Sequence, residues 1–375
     1  MRVSLVGPTF PYRGGISHFT ALLARAFSAS HEVQVINFSR LYPGFLFPGR
    51  TQFEEGEPPV PVTSLRLVDS VNPLTWPRAA RAVTGFGADL VVFQWWQPFF
   101  APAFRAIGGR AGASGARVVY LCHNVLPHEP SRFDRPLARW GLARAHGFVV
   151  QSREDGRTLA GLIPGAHIEF NPMPVFDLFP NRDLDRDEAR RRLRVGGRVL
   201  LFFGLVRAYK GLPTLLEAFA LCADALDATL LIVGEFYEDR APYDEQIAAL
   251  GIGARVRVVN EYVPGEDVAT YFRAADVVVL PYETATQSAV VQTAFAFETP
   301  VIVTAVGGLP DVVADGETGF VVPARDPRAL AGAITRFFSE EAGPRMAGAI
   351  RAAGGAFAWE RCVDAILRAA RAPAR

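Results

Sequence analysis

Of the 39 lysines and arginines in this 375-residue chain, a single one is lysine: Lys210, in LFFGLVRAYKGLPTLLEAF at 201–219. Arg207 precedes it by three residues, in a turn between an apolar run and a helix pattern that starts near Pro213. A guanidinium and a compact ammonium with rotatable donors, set at a helix mouth, suit a diphosphate. The plainer reading is a solvated basic turn. A third is a Schiff-base lysine holding pyridoxal phosphate.

Three other post-strand loops carry side chains or amides suited to a polar ligand. In GPTFPYRGGISHF, Gly14 and Gly15 precede a helix, so backbone approaches closely and free N–H groups face an anion; a tight turn is the alternative. The spacing is not G-x-G-x-x-G, which argues against a nicotinamide dinucleotide site. In LCHNVLPHEP, His123 ends an apolar run, with His128 and Glu129 in the same loop; a strand-end histidine can equally be structural. In PYETATQSAVVQTAFAF, a helix begins near Ser288. Its first N–H groups, through Ala289 and Val290, can hold a phosphate, while Glu283, Gln287 and Ser288 can bond sugar hydroxyls. Ser288 as a mere helix cap is the bland version.

Each of these loops follows an apolar run. The runs lie at 3–7, 32–38, 88–94, 116–123 and 147–152, then at 198–204, 228–234, 255–260, 276–282, 299–305 and 319–322. Val/Ile/Leu stretches without alternation read as parallel strands buried on both faces. Ala/Leu/Arg-periodic helices between them give βαβα order, hence an α/β protein with doubly wound sheets. The alternation pauses between about 172 and 197, in a Pro-, Asp- and Arg-rich stretch that reads as the linker plus one exposed helix. The division predicted is a Rossmann-like domain over 1–172, a linker over 173–197, a second Rossmann-like domain over 198–356 and a C-terminal helix over 357–375. Ligands of such sheets sit beyond the carboxyl ends of strands, so the loops above are expected to face a cleft between the two halves.

Composition narrows the classes. Half the residues are apolar and the formal net charge is +1, so no global field draws nucleic acid. The three cysteines have no metal-ligand spacing and make no disulfide framework, which fits a reducing cytosol. MRVSLVGPTF runs straight into a strand pattern and is not read as a signal peptide, and no apolar stretch reaches membrane-spanning length. Two aromatic-rich, Pro-broken stretches stand out in the first half, LYPGFLFPGR at 41–50 and QWWQPFFAPAF at 94–104. Trp95, Trp96, Phe99 and Phe100 in QWWQPFFAPAF read either as a path for a lipid-linked acceptor or as core under a long loop. RFDRPLARWGLARAH puts Arg132, Arg135, Arg139 and Arg144 beside Trp140, which reads as a patch for an anionic membrane surface or as a solvated helix face.

The Gly-Gly loop, the strand-end His123, FFGLVRAYKGLPTLLEAF, ADVVVLPY, TPVIVTAVGGLPDVV and DGETGFVV fall in one order along the chain. In that order they resemble the retaining glycosyltransferases of family GT4, of GT-B fold, over nearly the full length. The resemblance implies that Arg207 and Lys210 bind the diphosphate of a UDP- or GDP-linked sugar donor. It implies that His123 contacts the donor sugar, that Gly14 and Gly15 face the diphosphate, and that Tyr262 and Val263 lie near the base. Trp95, Trp96, His128 and Glu129 then belong to the acceptor side. The family's two glutamates are replaced by Ala285 and Thr293, as in a bacterial subgroup with Ala-Thr-Gln-Ser here; Glu283, Gln287 and Thr293 are expected to take over contacts. The implied reaction is hexosyl transfer to a glycan or lipid-linked acceptor with retention, without cofactor or metal, in the cytoplasm or at the inner membrane face. A D-x-D, Asp183 and Asp185, reads as helix N-terminal acids rather than a metal site. A sugar-nucleotide epimerase and a non-catalytic sugar-nucleotide binder of the same fold are the alternatives. The pyridoxal-phosphate reading fades, because the phosphorylases of this fold are far longer.

Overall fold

A computed structural model describes residues 1–44, 51–54, 56–127 and 131–372. The chain divides into two compact units, Met1–Pro174 with Ala358–Arg375, and Val175–Phe357.

The first unit runs β1 (Arg2–Val6), α1 (Gly15–Ser28), β2 (Glu32–Arg40), β3 (Ser64–Asp69), α2 (Trp76–Gly85), β4 (Leu90–Trp95), α3 (Ala101–Ala113), β5 (Arg117–Cys122), α4 (Asp134–Leu142), β6 (Gly147–Val150), α5 (Arg153–Leu162) and β7 (Ile168–Phe170). All strands pair parallel, in the order β3-β2-β1-β4-β5-β6-β7. The central strands are the apolar runs; LVVFQW of β4 is buried along its whole length, and each of its Leu, Val and Phe side chains contributes about 1.5–3 kcal/mol. The sequence reading missed β3 and β7. Both are sheet edges, and both lack the signal used to find strands: SLRLVD buries only Val68 fully, and IEF is three residues long and half-buried.

The second unit runs α6 (Arg186–Leu193), β8 (Arg198–Phe203), α7 (Leu212–Leu226), β9 (Ala228–Val233), α8 (Ala241–Ala249), β10 (Val256–Val259), α9 (Val268–Ala274), β11 (Val277–Leu280), α10 (Ala289–Ala296), β12 (Val301–Thr304), α11 (Leu309–Val312), β13 (Gly319–Val322), α12 (Pro327–Ser339) and α13 (Ala342–Ala353). Its parallel order, β10-β9-β8-β11-β12-β13, repeats the 3-2-1-4-5-6 order of the first sheet. Each sheet therefore has one topological switch point, between β1 and β4 and between β8 and β11, where a doubly wound sheet opens a ligand crevice.

Residues 175–197, read from sequence mostly as linker, belong to the second unit. Asp276, ahead of β11, accepts from Val199 N at 2.7 Å and from Arg190 at 2.9 Å, and also pairs with Arg186; these bonds fix α6 against α9 and β8. The last helix, α14 (Trp359–Ala370), belongs to the first unit, where it packs on β5, β6, β7 and α1. Gly147 makes that packing possible, because a Cβ there would come within 2.1 Å of the Ala369 carbonyl oxygen.

Candidate functional site

In the second unit, the loops after β8 and β11 meet at the switch point. The first turns at Ala208–Lys210 and closes with Gly211, whose φ of 67° lies in the left-handed region; a Cβ there would sit 2.0 Å from the Pro281 carbonyl oxygen. Glu283 N donates to the Tyr209 carbonyl at 2.7 Å, so the two loops are bonded backbone to backbone. Gly204 is where they converge on side chains: a Cβ there would lie 3.3 Å from Lys210 Nζ and 3.4 Å from Val290 Cγ2.

Lys210 is 9% exposed, its ammonium 5.2 Å from the Tyr282 ring centroid. Burial lowers its pKa, opposed by Tyr209 and reinforced by Arg207. No carboxylate pairs with it among the described residues; Glu283, the nearest acid in sequence on the facing loop, is held by Arg325 at 2.6 Å. A buried cation without a counter-charge is costly, and an anionic ligand removes that cost. Arg207 is exposed at the rim of the same turn, 5.9 Å from the Tyr209 ring.

α10 points its N-terminus into this region. Ser288 occupies the cap position in extended conformation, but its side chain makes no capping bond, so the amides of Ala289 and Val290 are left for a ligand. The Thr293 hydroxyl donates to the Ala289 carbonyl at 2.9 Å, and Gln287 Nε2 donates to the Gly308 carbonyl at 3.3 Å. Of the side chains expected to replace the two glutamates, then, Glu283, Gln287 and Thr293 all already have protein partners. Tyr262 and Val263 follow β10, two strands from β8; Val263 is buried in the core and Tyr262 is half-buried.

In the first unit, Gly14 caps α1 at φ 107° and Gly15 opens the helix, exposed. His123 directly follows β5 and is buried. Its Nδ1 lies 3.2 Å from Gln151 Oε1 and its Nε2 2.8 Å from Gln94 Oε1, and Phe19 of α1 meets the ring edge-on at 4.7 Å. Burial pulls its pKa down to about 4, with the Gln151 bond opposing, so the ring is neutral at pH 7. A neutral imidazole donates from one nitrogen and accepts at the other, so one glutamine turns its amide NH2 toward the ring. The Nε2 of Gln94 has no hydrogen-bond partner among the described residues. Gly7 leaves the space for it, since a Cβ there would lie 2.4 Å from Gln94 Cγ. The sequence reading overlooked Gln94 and Gln151, although each is a lone amide ending a buried apolar run, and that signal was readable.

The acceptor-side expectation changes. Trp95 is 0% exposed and its Nε1 donates to the Val125 carbonyl at 3.2 Å; Trp96 is buried, with Nε1 donating to Tyr42 Oη at 2.8 Å. Both indoles are core whose polar edges are spent inside the protein. His128 and Glu129 lie outside the described residues. Asp185 caps α6 by accepting from Glu188 N at 3.0 Å.

Two family models match the chain, "Glycosyl transferase 4-like domain" over residues 14–174 and "Glycosyl transferases group 1" over residues 197–340. A D-inositol 3-phosphate glycosyltransferase from Geodermatophilus obscurus is 34% identical over 250 residues, covering 62% of this chain and 54% of that protein. Its counterpart from Catenulispora acidiphila is 35% identical over 240 residues, covering 60% and 57%. The chain thus spans little more than half the length of these curated relatives. Among solved structures, sucrose-phosphate synthase from Thermosynechococcus elongatus matches with a TM-score of 0.73 at 22% identity, over 98% of this chain and 96% of that one. HepE from Anabaena, solved in complex with UDP, matches with 0.73 at 18% identity, over 98% and 100%. At such identities the likeness speaks for the fold, which is GT-B.

Proposed function

The chain belongs to the group 1, GT4-like glycosyltransferases, and on that premise we propose that it moves a hexose from a nucleotide-diphosphate sugar to a glycan or lipid-linked acceptor, with retention and without a metal ion. The observation that carries this is Lys210, a buried ammonium with no carboxylate among the described residues, at the β8–β11 switch point beside the uncapped N-terminus of α10. When the diphosphate leaves, negative charge grows on it, and preorganised cations and amide dipoles stabilise that charge. Arg207, Lys210 and the amides of Ala289 and Val290 are of the right kind. His123, being neutral at pH 7, serves as a hydrogen-bonding group rather than a proton carrier.

The test is thermal stabilisation of wild type and Lys210→Ala by UDP-, GDP- and ADP-sugars, followed by turnover with the stabilising donor. A ligand at one hundred times its Kd adds about 2.7 kcal/mol to the folded state. One sugar nucleotide is expected to stabilise the wild type and not the variant. D-inositol 3-phosphate, named in the curated relatives, is the first acceptor to try. Stabilisation without transfer to any acceptor points to a binder; sugar inversion in the nucleotide itself points to an epimerase; no stabilisation by any donor sinks the proposal.

We further propose peripheral contact with an anionic membrane. Arg132, Arg135, Arg139 and Arg144 are exposed on or beside α4, with Phe133 and Trp140 exposed among them. Among the described residues no helix is long and apolar enough to cross a membrane. Each arginine near an anionic surface adds about 1 kcal/mol. Vesicles rich in phosphatidylglycerol are expected to sediment the wild type at low salt and to release the Arg132→Glu/Arg139→Glu chain. Equal recovery of both in the supernatant ends this idea.

A further inference from the structure

Two residues beyond His123, the Val125 peptide is bonded from both sides by side chains. Its N–H donates to Asp155 Oδ1 at 3.1 Å, and its carbonyl accepts from Trp95 Nε1 at 3.2 Å. Asp155 lies in the first turn of α5, the helix that follows β6. Gln151, which meets the His123 ring, opens the same strand-to-helix turn. That one turn therefore touches the loop after β5 at two points, a ring and a peptide.

The carboxylate of Asp155 is not there to cap its helix. Ser152 does that, its Oγ accepting from Asp155 N at 3.0 Å. Nor is the carboxylate in a comfortable place. It is buried, its Oδ2 has no hydrogen-bond partner among the described residues, no salt bridge reaches it there, and Glu154 adds a like charge. A buried acid in that condition costs stability. The bond it makes to the loop of His123 is the return that the fold gives for that cost.

We propose that Asp155 is a positioning residue for His123, acting by holding the Val125 peptide and with it the start of the loop that follows β5. The proposal rests on the reading that His123 serves sugar transfer, and the two are separable by experiment.

Three variants test it. Asp155→Asn keeps an acceptor oxygen in the same shape. Asp155→Leu keeps the branching of the side chain and removes the acceptor, and Asp155→Ala substitutes for it should the larger leucine not be accommodated. The readouts are the 15N shifts of the His123 ring, and kcat and KM for the donor. Loss of the bond is expected to move the ring signals and to lower kcat by about tenfold, the worth of one hydrogen bond, with KM unchanged. The asparagine chain is expected to match the wild type in both. Wild-type ring signals and kcat in the leucine chain overturn the proposal, and so does an asparagine chain as impaired as the leucine one. If the ring signals move in the leucine chain but His123→Ala transfers sugar at the wild-type rate, positioning stands and the role of His123 in transfer falls.

Discussion

His123 and Asp155 are both buried, and burial drives each toward its neutral form, which has opposite consequences for stability. The His123 pKa falls to about 4, below the ordinary 6.5. Between those values the unfolded chain binds a proton that the folded chain does not, so stability rises with pH. The Asp155 pKa rises to about 7 from an ordinary 3.8. Between those values the folded chain holds the extra proton, so stability falls as pH rises and the whole penalty is present above pH 7. Each effect is on the order of 3 kcal/mol, and over pH 4–6.5 they oppose one another. Asp155→Asn is therefore expected to gain stability from pH 4.5 to 6.5 more steeply than the wild type, and His123→Asn to lose it over the same range. Denaturant midpoints across that range check this; three parallel pH profiles would refute it. Lys210 was visible in the sequence as the exceptional lysine, because composition is a property of the chain. Its burial, its lack of a counter-charge and its approach to Tyr282 depend on a loop from another strand, and no local pattern carries that.

At the scale of elements, the candidate site of the second unit is made of loops pressed backbone to backbone. Gly211 leaves room for the Pro281 carbonyl, and Gly307, at φ 52°, for the Ala285 carbonyl, which a Cβ would approach to 1.6 Å. An alanine at either place meets a peptide oxygen and also pays for a left-handed backbone, about 1–3 kcal/mol for the backbone term alone. Gly211→Ala is expected to remain folded, to melt earlier and to lose stabilisation by the donor. Gly332→Ala, in open space within α12, is expected to gain about 1 kcal/mol from helix propensity and to keep donor binding. Melting curves with and without donor separate the two; the same sign of change at both positions would show that the loop contacts do not matter. The central strands were legible because each is a continuous apolar run. β3 and β7 were not, because an edge strand pairs on one side and needs no such run.

At the scale of the whole chain, the first unit is completed by residues distant in sequence. α14 buries Trp359, Cys362, Ala365, Ile366 and Ala369, with Trp359 against Phe19 at 4.8 Å and Arg117 Nε donating to the Ala370 carbonyl at 2.7 Å. Burial of these side chains is worth on the order of 5–10 kcal/mol, comparable to the stability of a domain. A chain ending at residue 356 is expected to lose the near-ultraviolet circular dichroism of the first unit's tryptophans and to aggregate. A soluble truncated chain with the full-length spectrum would show that α14 is dispensable.

By itself the sequence determined the α/β class, the two successive sheets, the positions of the post-strand loops and the order of motifs that marks the family. These follow from local apolar periodicity and from residue types at short spacings, which are encoded where they occur. The tertiary structure alone decided which side chains are free to meet a ligand. Trp95 and Trp96, readable from sequence as acceptor path or as core, are core, Glu283 was taken by Arg325, and Gln94, Gln151 and Asp155 came to surround His123 and its loop. The physical reason is that burial and hydrogen-bond partners are set by strands far apart in sequence, and a side chain's chemistry is whatever those neighbours leave unspent.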